Sequence, residues 1–280
     1  MEINKEKPIE DLLKFSIINI DKPTGPTSFS ISNFIRKSLN LNKTSHFGTL
    51  DPQVTGVLPI ALSRACRLNE YFIHKDKTYV GIMRLHKEVS DENLKEVIKK
   101  FIGKIQQLPP VRSRVKRVVR EREVKFFNII EIDDKDVLFE TQVQAGTYIR
   151  KICDDIGKEI GGAHMLELRR TKASIFQEET SINLYEFEKA LEEYKNGNES
   201  HLRNILMPAE EAIKKVLPTV QIKADSSKSI LTGKPLMKSD IKEEFPKEEI
   251  FAIFNKDKFV AIMKKSDEED ILARPEFVYN

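Results

Sequence analysis

Apolar positions along this chain follow two periods, about 2 and about 3.6 residues, and the switches between them mark its elements. Alternation at Tyr79, Gly81, Met83 and Leu85 predicts a strand over 77–85. Short apolar runs bounded by turn residues predict strands over 15–20 and 57–62. Ile31, Phe34, Ile35 and Leu39 recur at helical spacing, so a helix is expected over 28–38, capped by Thr27 or Ser28. Further helices are expected over 64–73, from Ser90 or Asp91 to 101, over 147–160 with a stop at Gly161-Gly162, over 184–194 and from Pro208. Residues 113–123, 126–132, 137–144 and 165–175 read as strands. Because strands and helices interleave without a strict βαβ rhythm, the fold class is α/β of the mixed α+β kind. Residues 40–56 carry no usable period and read as a loop.

The pattern changes at Leu217-Pro218. Beyond it, TVQIK, a helix-like ADSSKSILTG, then IFAIF and FVAIMKK read as a small β-rich unit. The expected division is therefore 1–216 and 217–280. A unit of about sixty residues is small for independence, so it should pack against the main domain, with segment 1–14 against it as well.

Composition narrows the class. With 40% hydrophobic and 32% charged residues in 280, the chain can bury a core, and disordered, collagenous and disulfide-rich classes are excluded. No run approaches the roughly 18 apolar residues of a membrane span, and Glu2, Lys5, Glu6 and Lys7 leave no signal-peptide core, so a cytoplasmic protein is expected. Cys66 and Cys153 match no metal-ligand spacing, and the histidines form no companion pattern, so no metal site is expected. The net charge of +3 decides little, but it is segregated. Seven basic side chains face two acidic ones over 111–125, while ten acidic ones face six lysines over 240–270. The basic run suits an RNA backbone; charge protecting an exposed strand edge is the plainer explanation.

Candidate chemistry sits in three places. In Thr44-Ser45-His46-Phe47-Gly48-Thr49-Leu50-Asp51-Pro52, proline pushes Asp51 out of the helical region and could hold a carboxylate at the rim of a sheet. Alone it is an ordinary turn. Ala145-Gly146-Thr147-Tyr148-Ile149-Arg150 is a strand-to-helix junction with Arg150 in the first turn, where a bidentate pair with Asp51 would keep that carboxylate ionised and aimed. Tyr79 could fill a core or stack on a nucleobase.

Together these stretches resemble one family. HFGTLDPQVTGVLPIAL, from His46 to Leu62, is similar to the signature of the TruB-type pseudouridine synthases. IDKPTGPTS before it, and KTYVGIMRLH, AGTYIRKIC and GAHMLELRR after it, match the remaining motifs in order. The lead-in KPIEDLLKFSIINIDKP and the stretch LPPVRSRVKRVVREREV resemble the archaeal dyskerin branch, the catalytic subunits of box H/ACA guide-RNA particles. The end of the chain resembles a PUA domain, through LTGKPLM and its strand pattern.

The resemblance implies a catalytic domain built on a central, mostly antiparallel mixed sheet. It implies Asp51 as the catalytic carboxylate, Arg150 as its ion-pair partner and Tyr79 stacked on the extruded uracil. Tyr148 and Leu168 would line the pocket, His46 would hold the flipped nucleotide out, and Lys22 would support the site's loop. Arg112, Arg114, Lys116, Arg117, Arg120, Arg169 and Arg170 would meet RNA. The reaction needs no cofactor, because the base is detached, turned and rejoined without redox change. Implied partners are a box H/ACA guide RNA, an rRNA or tRNA substrate, a small zinc-ribbon-like protein, a glycine-arginine-rich-type protein and a kink-turn-binding ribosomal protein. The alternative is a stand-alone enzyme acting on the TΨC loop of tRNA. The chain departs from its archaeal relatives at Phe29-Ser30, where they carry His-Glu, and at Phe47, where they carry a small residue.

Overall fold

A computed structural model describes residues 7–110, 115–241 and 245–280. Helix α1 (Ile9–Lys14) leads into β1 (Ser16–Lys22), α2 (Ser28–Ser38), β2 (Thr44–His46) and β3 (Thr55–Leu62). A 3-10 turn (Ser63–Leu68) and α3 (Asn69–Ile73) precede β4 (Lys77–Leu85), α4 (Asp91–Lys99), β5 (Gly103–Gln107), β6 (Arg120–Asp133) and β7 (Asp136–Val143). Then come α5 (Ile149–Ile160), β8 (Ala163–Ala173), β9 (Phe176–Gln177), α6 (Leu184–Lys195), α7 (Ser200–Ile205), β10 (Leu206–Pro208) and α8 (Ala209–Val216).

These ten strands form one sheet in the order β10-β1-β3-β8-β4-β7-β6-β5, with β2 added to β3 and β9 to β8. Every pairing is antiparallel except β3 with β8, where Thr55 and Gly56 face Arg169 and Arg170. The mixed, mostly antiparallel sheet is therefore as expected. Its one parallel junction is also its tightest: a Cβ on Gly56 would lie 2.2 Å from the Arg170 carbonyl oxygen, so only glycine fits there. Helix α5 buries Ile149, Ile152, Cys153, Ile156 and Ile160, each aliphatic side chain contributing about 1.5–3 kcal/mol. Gly161 at φ 92° ends it in the left-handed conformation that residue tolerates.

The remaining residues build a five-stranded sheet from β11 (Thr219–Gln221), β12 (Leu236–Met237), β13 (Ile250–Asn255), β14 (Lys258–Lys265) and β15 (Ile271–Val278), with α9 (Ser226–Leu231) inserted. Phe254, Phe259, Ile262 and Phe277 from this sheet share one apolar cluster with Phe15, Ile17, Ala61, Phe72 and Ile213. Phe15 stacks on Tyr279 with ring centres 4.3 Å apart. Helix α1 buries Ile9, Leu12 and Leu13 in the main core.

Three expectations change. Strand β6 runs unbroken over Arg120–Asp133 where two strands, 113–123 and 126–132, were expected, and 115–119 is not strand. The register slips between Val124 and Phe126 and between Ile129 and Glu131, and these irregularities blur the alternation. β2, three residues inside the expected loop, is too short to show a period. β5 was not expected because Gly-Lys-Ile-Gln-Gln carries a single large apolar side chain.

Candidate active site

The loop between β2 and β3 is held from beneath by two buried cations. Lys22 ends β1 fully buried, and its ammonium donates to the carbonyls of Pro23 (2.7 Å), Pro52 (3.0 Å) and Val54 (2.9 Å). An ammonium has three protons, and all three are used. Burial and the nearby Arg170 push its pKa down, while Asp51 pulls it back up. Arg170, 1% exposed, donates from Nε to the Val57 carbonyl (2.8 Å) and from Nη2 to that of Gly48 (2.9 Å). Tyr79 is its register partner across β8 and β4.

The start of α2 supplies the third hold. Ser28 Oγ accepts from the Leu50 amide (2.8 Å) and donates to its carbonyl (3.0 Å), and the Gly25 amide donates to Pro52 (2.9 Å). Phe47 anchors the loop's other end in the core, its ring stacked on Phe72 at 4.7 Å and 5°.

What this frame leaves open is Asp51. Its carboxylate is 54% exposed and meets Arg150 Nη1, itself 51% exposed, at 3.4 Å from Oδ2. The expected pair forms, but as one long contact and not as a two-pronged fork.

Arg150 is placed by the start of α5, where the Tyr148 amide donates to Gln107 Oε1 (3.0 Å) and Gln107 Nε2 donates to the Tyr148 carbonyl (3.2 Å). Gln107 is buried on β5, and because that strand was unforeseen the residue gave no sequence signal. Leu168, partly buried on β8, is admitted by Gly81, whose added Cβ would stand 2.8 Å from Leu168 Cδ1. His46 ends β2 with Nε2 3.0 Å from Thr49 Oγ1. Burial and Arg170 lower its pKa, so the ring is neutral at pH 7.

The RNA-contact assignments need correction. Arg170 cannot meet RNA, since it is buried and committed to carbonyls. Arg169, 38% exposed, forks onto both oxygens of Asp21 (2.9 Å each) and donates to Glu178 (2.9 Å), so it is engaged by carboxylates while part of it stays open to solvent. Arg112 and Arg114 lie outside the described residues. Lys116 and Arg117 are exposed. Arg120 and Arg122 line a cavity of about 60 Å³ with Gly146 and Tyr148, which brings the basic run beside the segment that presents Arg150.

Comparison with known proteins agrees with this geometry. Residues 36–93 match the N-terminal domain of TruB family pseudouridylate synthases, and 150–214 match the C-terminal domain of tRNA pseudouridylate synthase B, both within the ten-stranded part. A curated protein of Methanopyrus kandleri named "Probable tRNA pseudouridine synthase B" is 45% identical over 231 residues, 82% of this chain and 68% of that one. Its namesake in Nanoarchaeum equitans is 48% identical over 74% of this chain and 60% of its own. Among solved structures, a chain of a Cbf5-Nop10-Gar1 complex superposes with TM-score 0.88 at 38% identity, covering 99% of this chain and 88% of that one. A chain of an H/ACA RNP bound to a substrate RNA containing 2'-deoxyuridine gives 0.88 at 37% identity, covering 99% and 89%. This chain belongs to the TruB family of pseudouridylate synthases.

Proposed function

We propose that the chain converts uridine to pseudouridine in RNA as the catalytic subunit of a box H/ACA particle, with Asp51 as the reacting carboxylate. The observation that carries the reading is a loop clamped by buried cations that leaves one carboxylate open beside an arginine. In the reaction the bond from the sugar to N1 of uracil breaks, the base turns, a bond forms from the sugar to C5, and the C5 proton is replaced by one on N1. An ionised carboxylate either attacks or stabilises the electron-poor centre during that exchange. Tyr79 packs on the extruded ring, Tyr148 and Leu168 line its pocket, and His46 in its neutral form holds the flipped nucleotide. Lys22 and Arg170 position the loop and touch no substrate.

Residues 217–280 act in this reading as a PUA-like RNA-binding unit, separate from a catalytic unit over 1–216. Lys116, Arg117 and Arg120 contact RNA backbone. One structural neighbour was solved together with Nop10 and Gar1 and another within an H/ACA RNP, which supports assembly with such proteins and a guide RNA. A cytoplasmic location belongs to the same reading. No helix among the described residues is long and apolar enough to cross a membrane. The names of the curated relatives favour a second reading, direct action on tRNA.

Tritium release from 5-tritiated uridine separates the two. Release only with guide, target and partner proteins together is the expected result. Turnover on bare tRNA transcript would remove the requirement for a guide.

A further inference from the structure

All sixteen phenylalanines of the chain lie among the described residues, and Phe29 alone is exposed, at 71%. It occupies the second position of α2, away from the face that buries Ile31 and Ile35. It therefore fills no core, and its ring leaves a large apolar surface in water. Its backbone is tied to the site's loop. Ser28, one residue before it, is hydrogen-bonded through Oγ to both backbone groups of Leu50, one residue before Asp51. With consecutive Cα atoms about 3.8 Å apart, the backbone of Phe29 lies one residue from a bond to the loop that presents the carboxylate. The backbone beneath it is fixed as well, because Thr27 Oγ1 accepts from the Ser30 amide at 3.0 Å and caps the helix. An exposed aromatic on a capped helix next to a site that extrudes a nucleotide meets a particular need. Once the target base has left the stack, its neighbour on the strand has lost a stacking partner.

We propose that Phe29 stacks on the nucleobase adjoining the extruded uridine; the proposal rests on the functional reading above. A phenyl ring offers no hydrogen bond to a base edge, so the contact accepts any base at that position. Such tolerance suits an enzyme whose target sequence is chosen by other means.

The chain contains no tryptophan, so Phe29→Trp places a single emitter at the proposed contact. Substrate RNA is expected to quench that emission. Phe29→Ala is expected to raise KM on the order of tenfold, move kcat less, and do so whichever base flanks the target. An Ala variant with KM within about twofold of wild type overturns the proposal. So does tryptophan emission that saturating RNA leaves unmoved, or that the particle's protein partners shift while RNA does not. Wild-type protein that forms no pseudouridine would instead defeat the functional reading, and the emission titration would still decide the stacking.

Discussion

Lys22 and Arg170 are buried beneath the Asp51 loop and bonded to backbone carbonyls, whereas Arg150 reaches the same loop from the rim, half exposed and facing a carboxylate. The two regions use positive charge for different ends. Below the loop, fixed charges satisfy peptide dipoles and set the backbone, and desolvation makes any loss of those bonds expensive. At the rim, water screens the ion pair, so it adds little to stability and stays free to meet a ligand. Separating the two lets Asp51 remain open without becoming loose.

The sharpest way to break this contrast is at Lys22. Lys22→Met should orphan three carbonyls and cost about 2–3 kcal/mol, read as a fall in the urea midpoint. A loss under about 0.5 kcal/mol would mean that the loop does not depend on the cation. Arg150→Lys is the converse case. Stability should hold within about 0.5 kcal/mol, while turnover should drop on the order of a hundredfold, because a point ammonium cannot reproduce the guanidinium's reach and direction. Near-normal turnover would remove Arg150 from the site.

The division between frame and rim was only half legible in the sequence. Asp51, Arg150 and Tyr79 stood in motifs, and strand 77–85 and the Thr27 cap were readable because period and capping are local signals. Arg169 and Arg170 read as RNA contacts because the GAHMLELRR stretch adds a basic pair to the surface that the resemblance implies. Their partners Asp21, Glu178, Gly48 and Val57 are not sequence neighbours, and most are brought near only by the parallel β3–β8 junction. Gln107 was unreadable for the same reason, since its value lies in a residue 41 positions later. The roles of Phe29 and Phe47 were equally undecidable from pattern, yet one is the most exposed phenylalanine and the other is stacked in the core.

Whether Asp51 carries the proposed reaction on an intact frame is tested most directly by Asp51→Asn, with pseudouridine formation and the denaturation midpoint measured on the same protein in the complete RNA mixture. Asp51 is exposed and its ion pair with Arg150 is long, so the midpoint should stay within about 0.5 kcal/mol and RNA should still bind, while product formation falls on the order of a thousandfold or more. Turnover within about tenfold of wild type in a folded Asp51→Asn protein would contradict the claim.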